Sequence, residues 1–157
     1  MGFVAALLTA CSGFLLAVLW MDLMFDVQAL RRRNRAQELP ESVLASIAGY
    51  YHRATTTSQP MGRLIAVVML ILLGALGFQA FRGHEPAWVL WTSVVLACLP
   101  IGLALTRTVP RAVRLGHRAD TAADQSRLAR AVGRDHLICA CCMLALLVLW
   151  TARSLAV

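Results

Sequence analysis

The sequence predicts an all-α, polytopic membrane protein, a four-transmembrane-helix bundle with amphipathic cytoplasmic helices. Three observations predict it. Of the 157 residues, 59% are hydrophobic and only 15% charged, with a mean hydropathy of +0.68; a soluble domain is nearer half apolar and a quarter charged. Four apolar runs approach the roughly 20 residues of helix that a hydrocarbon core about 30 Å thick requires. All fifteen basic residues are arginine, and thirteen of them fall in two of the connections. This composition excludes a disordered chain, a coiled coil and almost any soluble enzyme. The length suits one membrane domain over residues 1–157.

The first span covers about residues 3–25, interrupted only late, by Asp22. In the connection that follows, Pro40 is placed as the first residue of a helix. Behind it, Val43, Leu44, Ile47, Ala48 and Tyr51 recur at helical spacing. This amphipathic stripe is expected on the membrane surface or against the bundle. Pro60 ends that helix or starts the second span, about residues 64–81. The third span covers about residues 86–106 and contains Pro100. A proline there removes a backbone donor and crowds the preceding turn, so a kink is expected. Asp120 or Thr121 is placed to cap a polar helix carrying Leu128, Ala129 and Val132 towards the fourth span. That span, about residues 137–151, is the shortest and is expected to begin inside the polar helix.

Charge orients the chain. Six arginines from Arg31 to Arg63, among them Arg32, Arg33 and Arg35, lie between spans one and two, and seven from Arg107 to Arg134 between spans three and four. Only Arg82 and Arg153 lie at the other ends. Cytoplasmic loops carry the excess of Lys and Arg. The expected location is therefore the bacterial inner membrane, with both long connections cytoplasmic, and with both termini and the Arg82–Glu85 turn outside. A formal charge of +7 in so apolar a chain suits anionic lipid headgroups rather than nucleic acid. The expected partners are membrane lipids, another membrane subunit or a second copy. The N-terminus lacks a basic n-region and its first run is long enough to span, so no cleaved signal is expected; the lipoprotein-like Leu8-Thr9-Ala10-Cys11 is taken as chance. Five cysteines, mostly in apolar runs, do not form a secreted disulfide framework.

Helices associate in lipid through close backbone approach at small residues. Three stripes are expected to form such seams: Ala6, Ala10, Gly13 and Ala17; Gly62, Ala66, Gly74 and Gly77; Ser93, Ala97, Pro100 and Ala104. The first stripe has a homodimer face as its alternative reading.

Chemistry is expected at the cytoplasmic end of the bundle. Asp22 and Asp26 lie one helical turn apart on one face of the first span. An intramembrane carboxylate is costly, which makes it a functional hypothesis. The pair can bind a cation, hold a proton or act as general base; structurally, it can reach water or Arg31 to Arg33. His52 follows Tyr50 and Tyr51, and His136 follows Asp135, both at the depth of the two aspartates. A pocket of Asp22, Asp26, Tyr51, His52, Asp135 and His136 suits proton movement or metal binding. No HExxH or ExxH pair occurs, so no metal ligands are assigned. The sequence names no cofactor. Interfacial histidine and tyrosine also occur with no function attached. His84 and His117 are expected in solvated loops.

His136, Cys139 and Cys142 form an HxxCxxC stripe. Such a CxxC can be redox active, and vitamin K epoxide reductase likewise keeps one in a fourth span. Here the second, loop-borne cysteine pair is missing and the CxxC falls on the reducing side. These thiols, with Cys11 and Cys98, are therefore expected to pack. Trp20, Trp88, Trp91 and Trp150 are expected as interfacial anchors or packing. A small multidrug exporter needs a central acid in span one, which Asp22 is not, and a fluoride channel's polar track is absent.

The layout resembles the anthrone-oxygenase-like family of small four-span membrane proteins. The likeness lies in Tyr50-Tyr51-His52-Arg53-Ala54-Thr55-Thr56 ahead of Pro60, in the third span, and in Gln125-Ser126-Arg127-Leu128-Ala129-Arg130 through Arg134-Asp135-His136. The family's usual tryptophan in the polar helix, and the arginine after its polar residue, are absent. The resemblance implies oxygenation of a flat aromatic substrate without a tightly held cofactor, and it carries over Arg134 and His136. Two functions are therefore expected. One is an oxygenase-like enzyme acting on a hydrophobic substrate, with Asp22, Asp26, Arg134 and His136 catalytic and Tyr51 and His52 binding substrate. The other is a non-catalytic accessory or assembly subunit of a larger membrane complex.

Overall fold

Apolar length decides the architecture. The computed structural model describes residues 2–31, 38–82 and 85–155, and among them all regular structure is helical. The helices are α1 (Phe3–Leu30), α2 (Glu41–Thr56), α3 (Gln59–Arg82), α4 (Ala87–Leu103), α5 (Val109–His117) and α6 (Ala122–Leu155). Helices α1, α3, α6 and the continuous Ala87–His117 segment are long and apolar enough to cross a bilayer. The chain is a multi-pass, all-α membrane protein. The described arginines gather at one end, where α2 and α5 lie. Arg82 and Arg153 lie at the other, where Arg153 pairs with Glu85 at 2.9 Å. Arg32, Arg33, Arg35 and His84 fall outside the described residues.

The spans run further than their apolar runs. Helix α1 continues past Phe25 to Leu30. Helix α6 is unbroken over 34 residues, about 51 Å at 1.5 Å per residue, so the polar helix and the short fourth run are one element. Thr121 caps it: the Asp124 N–H donates to Thr121 Oγ1 at 3.2 Å, and the Thr121 hydroxyl donates to the Asp124 carboxylate at 2.8 Å. Pro40 sits just ahead of α2 rather than as its first residue, and Pro60 lies in the first turn of α3.

The third span departs most from expectation. It does not stop near Thr106. A π turn over Ala104–Thr108 leads directly into α5, which a loop was expected to occupy. The irregularity falls in this turn, four residues beyond Pro100, and Pro110 explains why. Its ring lacks an N–H and would crowd the Thr106 carbonyl in a regular helix; a wider turn relieves both. Threonine hydroxyls add bonds to backbone carbonyls here, Thr106 Oγ1 donating to Gly102 at 2.6 Å and Thr108 Oγ1 to Leu103 at 3.2 Å.

Two cores stack along the bundle. In the spans, Leu8, Leu15, Leu72, Leu76, Met143, Leu146 and Trp150 form one buried cluster. Trp150 is 0% exposed, and its Nε1–H donates to Ser93 Oγ at 3.1 Å; a buried indole needs such a partner. Trp20, Trp88 and Trp91 are exposed. At the arginine-rich end, the α2 stripe of Leu44, Ile47 and Tyr51 meets Ala112 and Leu115 of α5, with Ala129 and Val132 of α6. The stripe therefore faces the bundle, not the membrane surface.

Only one of the three small-residue stripes is a seam. Ser93, Ala97 and Pro100 are buried, but Ala6, Ala10, Ala17, Gly62, Ala66 and Gly74 are exposed. Helix α1 buries Leu8, Cys11, Ser12 and Leu15 instead. Close approach occurs at two other glycines. A Cβ on Gly133 would stand 3.1 Å from Asp26 Cβ, and one on Gly116 would stand 2.9 Å from the His52 backbone nitrogen.

Candidate functional site

Two crossings build the site. Asp22 and Asp26 repeat at i and i+4, so one face of α1 carries both. Helix α6 crosses that face closely because Gly133 has no side chain against Asp26 and Leu30, and three residues on, His136 comes to the same face. Helix α5 meets the backbone of α2 at Gly116, and the neighbouring Tyr51 points into the bundle.

At the centre lies Asp26, with 0% exposure. Its Oδ1 accepts from the Tyr51 hydroxyl at 2.7 Å, and its Oδ2 lies 2.7 Å from His136 Nδ1. Two donors on one carboxylate offset the cost of burying it. The network assigns the proton to Nδ1 of His136, which directs Nε2 to the other side, 3.9 Å from Asp22 Oδ2. Asp22 in turn accepts from the Tyr50 hydroxyl at 2.6 Å, and the Tyr50 ring stacks on Phe25 at 4.0 Å between centroids. Burial, followed by the charges and hydrogen bonds of the two aspartates, raises the ionisation of both phenols above the ordinary tyrosine value, so Tyr50 and Tyr51 remain donors at neutral pH.

A cavity of about 320 Å³ opens beside this cluster. Its walls are apolar, from Leu19, Met69, Ile101 and Met143 of the four spans, while Asp22 and His136 supply its acid–base groups. The lining also includes Gly62, Leu105 and Val109, all exposed on the flanks of α3, the π turn and α5. The opening thus lies between helices, on the outer flank of the bundle. This volume lies in the usual range for small-molecule sites.

The expected pocket is therefore assembled in part. Asp22, Asp26, Tyr51 and His136 converge. Asp135 is buried but turns to Arg111 at 2.8 Å. His52 is exposed with its ring towards His117 at 6.5 Å, and His117 is exposed as well. Arg134 is exposed and its Nε donates to the Arg130 carbonyl at 3.3 Å; it lies away from the cavity. Among the described residues no group of three histidine, cysteine or acidic side chains is arranged to hold a metal. All five cysteines are free, and Cys139 lines the cavity, its Sγ 4.0 Å from the Pro100 carbonyl.

Tyr50, Gly133 and Gly116 were not read from the sequence as parts of the site. Adjacent residues on a helix point about 100° apart, so a tyrosine pair does not announce that both hydroxyls serve one face of another helix. The one-turn spacing of Asp22 and Asp26 on α1 is what receives both. No protein-family model, curated protein or solved structure matches this chain.

Proposed function

We propose that the protein is a membrane enzyme that transfers a proton to or from a lipophilic substrate, with Asp22 and His136 as the acid–base pair. The observation that carries this reading is the apolar cavity opening between the spans, with Asp22 and His136 in its wall. Asp26 fixes the His136 ring through Nδ1, the orienting role a carboxylate plays behind a histidine base. Nε2 then faces Asp22, 3.9 Å away, and the pair can hold between them the proton that passes to or from the substrate. A substrate hydroxyl or acidic C–H reaching the polar end of the cavity can lose its proton there, while its apolar body occupies the space between the spans. Tyr50 and Tyr51 hold the two carboxylates in place.

The resemblance to the anthrone-oxygenase-like family extends this reading. The substrate would be a flat aromatic compound, and deprotonation would prepare it for dioxygen, the external oxidant. By the excess of arginine at one end, the polar end of the cavity faces the cytoplasm of a bacterial inner membrane and both termini lie outside. The second reading, an accessory subunit of a larger complex, draws on the exposed Ala6, Ala10 and Ala17 face of α1.

The test uses the whole protein in lipid nanodiscs with a panel of lipid-soluble polycyclic phenols and ketones under air. Oxygen uptake and product mass are the readouts. The expected result is turnover that falls by about 10²-fold or more in His136→Gln, the usual contribution of a general acid–base group, and persists in His117→Gln. Equal rates in wild type and His136→Gln would refute the proposal. No turnover across the panel, with a second membrane protein co-purifying in constant ratio, would favour the accessory reading.

A further inference from the structure

Among the described residues, a concentration of arginine lies outside the acid–base cluster. A groove of about 580 Å³ runs between the end of α1, α5 and the first half of α6. Arg111, Arg114, Arg127, Arg130 and Arg134 line it, against Asp124 as the one carboxylate among the described lining residues. Among the described residues, three carboxylates pair with these guanidiniums. Arg127 pairs with Asp124, Arg114 with Asp120 at 2.7 Å, and Arg111 with Asp135 at 2.8 Å. Asp120 and Asp135 make these bonds from outside the lining, so the wall facing the groove is predominantly guanidinium. Leu30 and Leu128 add an apolar flank.

We infer that this groove binds a phosphate ester, and specifically the headgroup of an anionic phospholipid. Guanidinium is the group of choice for phosphate, because its fork of N–H donors matches two phosphate oxygens at once. Five such groups line one concavity, with a single carboxylate among its described lining residues. The depth selects the lipid over a free phosphate ester. Leu30 lies four residues beyond Asp26, about 6 Å further along α1, so the groove sits just past the membrane-embedded cluster, at headgroup level. A lipid phosphate would meet the arginines while its glycerol and upper chains lie along Leu30 and Leu128. This site is independent of the proposed catalysis and needs no substrate.

The experiment is native mass spectrometry of the full chain, delipidated in neutral detergent and then given phosphatidylglycerol or phosphatidylcholine. The expected result is selective retention of phosphatidylglycerol. Arg127→Gln combined with Arg134→Gln should lower it by about tenfold or more, the effect of losing at least one charge-assisted bond. The single Arg134→Gln, on an exposed side chain, supplies the same reading if the double variant folds poorly. Arg153→Gln, at the opposite end, should retain the lipid as wild type does. Inorganic phosphate in competition separates the sources. Weak displacement of the lipid supports a headgroup site. Phosphate bound through the same arginines, with both lipids held equally, overturns the lipid assignment in favour of a soluble phosphate ester. Unchanged phosphatidylglycerol retention in both arginine variants overturns the site itself.

Discussion

Replacing Gly116 by alanine tests how the tyrosine pair is delivered to the aspartates. The added methyl would stand 2.9 Å from the His52 nitrogen, 3.0 Å from His52 Cα and 3.2 Å from the Tyr51 carbonyl carbon, where ordinary contact begins at 3.4 Å. All three atoms are backbone, so no rotamer change can clear them. Helix α2 must withdraw from α5 by about 0.5 Å or more, and overpacking of this kind costs about 1–3 kcal/mol. Alanine's better helix propensity returns only about 0.5–1 kcal/mol. The same displacement loosens the 2.7 Å bond from Tyr51 to Asp26, taking it towards the 3.2 Å edge of good hydrogen-bond geometry. Gly133→Ala is the internal comparison. Its new methyl would meet Asp26 Cβ and Leu30 Cγ and Cδ1 at 3.1–3.2 Å, a smaller overlap that needs a shift of only a few tenths of an ångström. Thermal unfolding in mild detergent, followed by circular dichroism, reads the difference, about 2–4 °C for each kcal/mol in a chain of this size. Gly116→Ala should melt below Gly133→Ala and below wild type. If Gly116→Ala melted at or above wild type, the close α2–α5 approach would be wrong.

Other consequences are measurable in the same preparations. Tyr51→Phe removes a hydroxyl bonded to the fully buried Asp26 and should cost about 1.5–3 kcal/mol; a change in unfolding free energy within error of zero would contradict the network. Tyr50 and Tyr51 are the only tyrosines, and both have raised ionisation in the fold. Their contribution to stability is therefore complete below the unfolded tyrosine value of about 10 and is lost as pH rises above it. Alkaline titration should show tyrosinate absorbance appearing with unfolding rather than before it, and Tyr50→Phe with Tyr51→Phe should flatten the loss of stability above that pH. Gly62→Phe places a ring at the cavity mouth, where an added Cβ meets nothing within 4 Å; it should leave the unfolding midpoint near that of wild type while excluding a lipophilic probe such as a polycyclic phenol from the interior. Unaltered probe binding would place the entrance elsewhere. Asp22→Asn keeps the shape of the cavity wall and removes its carboxylate, so any turnover should fall while probe binding persists.

Much of the architecture could be read one-dimensionally. The four apolar runs, the arginine asymmetry and the Leu44, Ile47, Ala48 and Tyr51 stripe depend on local composition and helical period, which determine what can be buried and where. Asp22, Asp26, Tyr51 and His136 were legible as candidates because ionisable groups beside apolar spans are costly and stand out. Their convergence was not legible, since it rests on contacts 25 and 110 residues apart in sequence. Two glycines make those contacts possible. Gly116 and Gly133 carry no local pattern that separates them from Gly62 or Gly74, where an added Cβ would meet nothing within 4 Å; only the crossing of one helix over another shows which absent side chain matters. The same limit misplaced the seams on α1 and α3, because small residues permit close approach without compelling it. His52 and Arg134 have the right chemistry at the right depth, yet their helices turn them outwards. Sequence alone determined the class of solvent, the number of crossings and the residues worth watching. The tertiary structure alone decided which of those residues face one another, because facing is set by the rotation and separation of packed helices, and neither is encoded within any single helix.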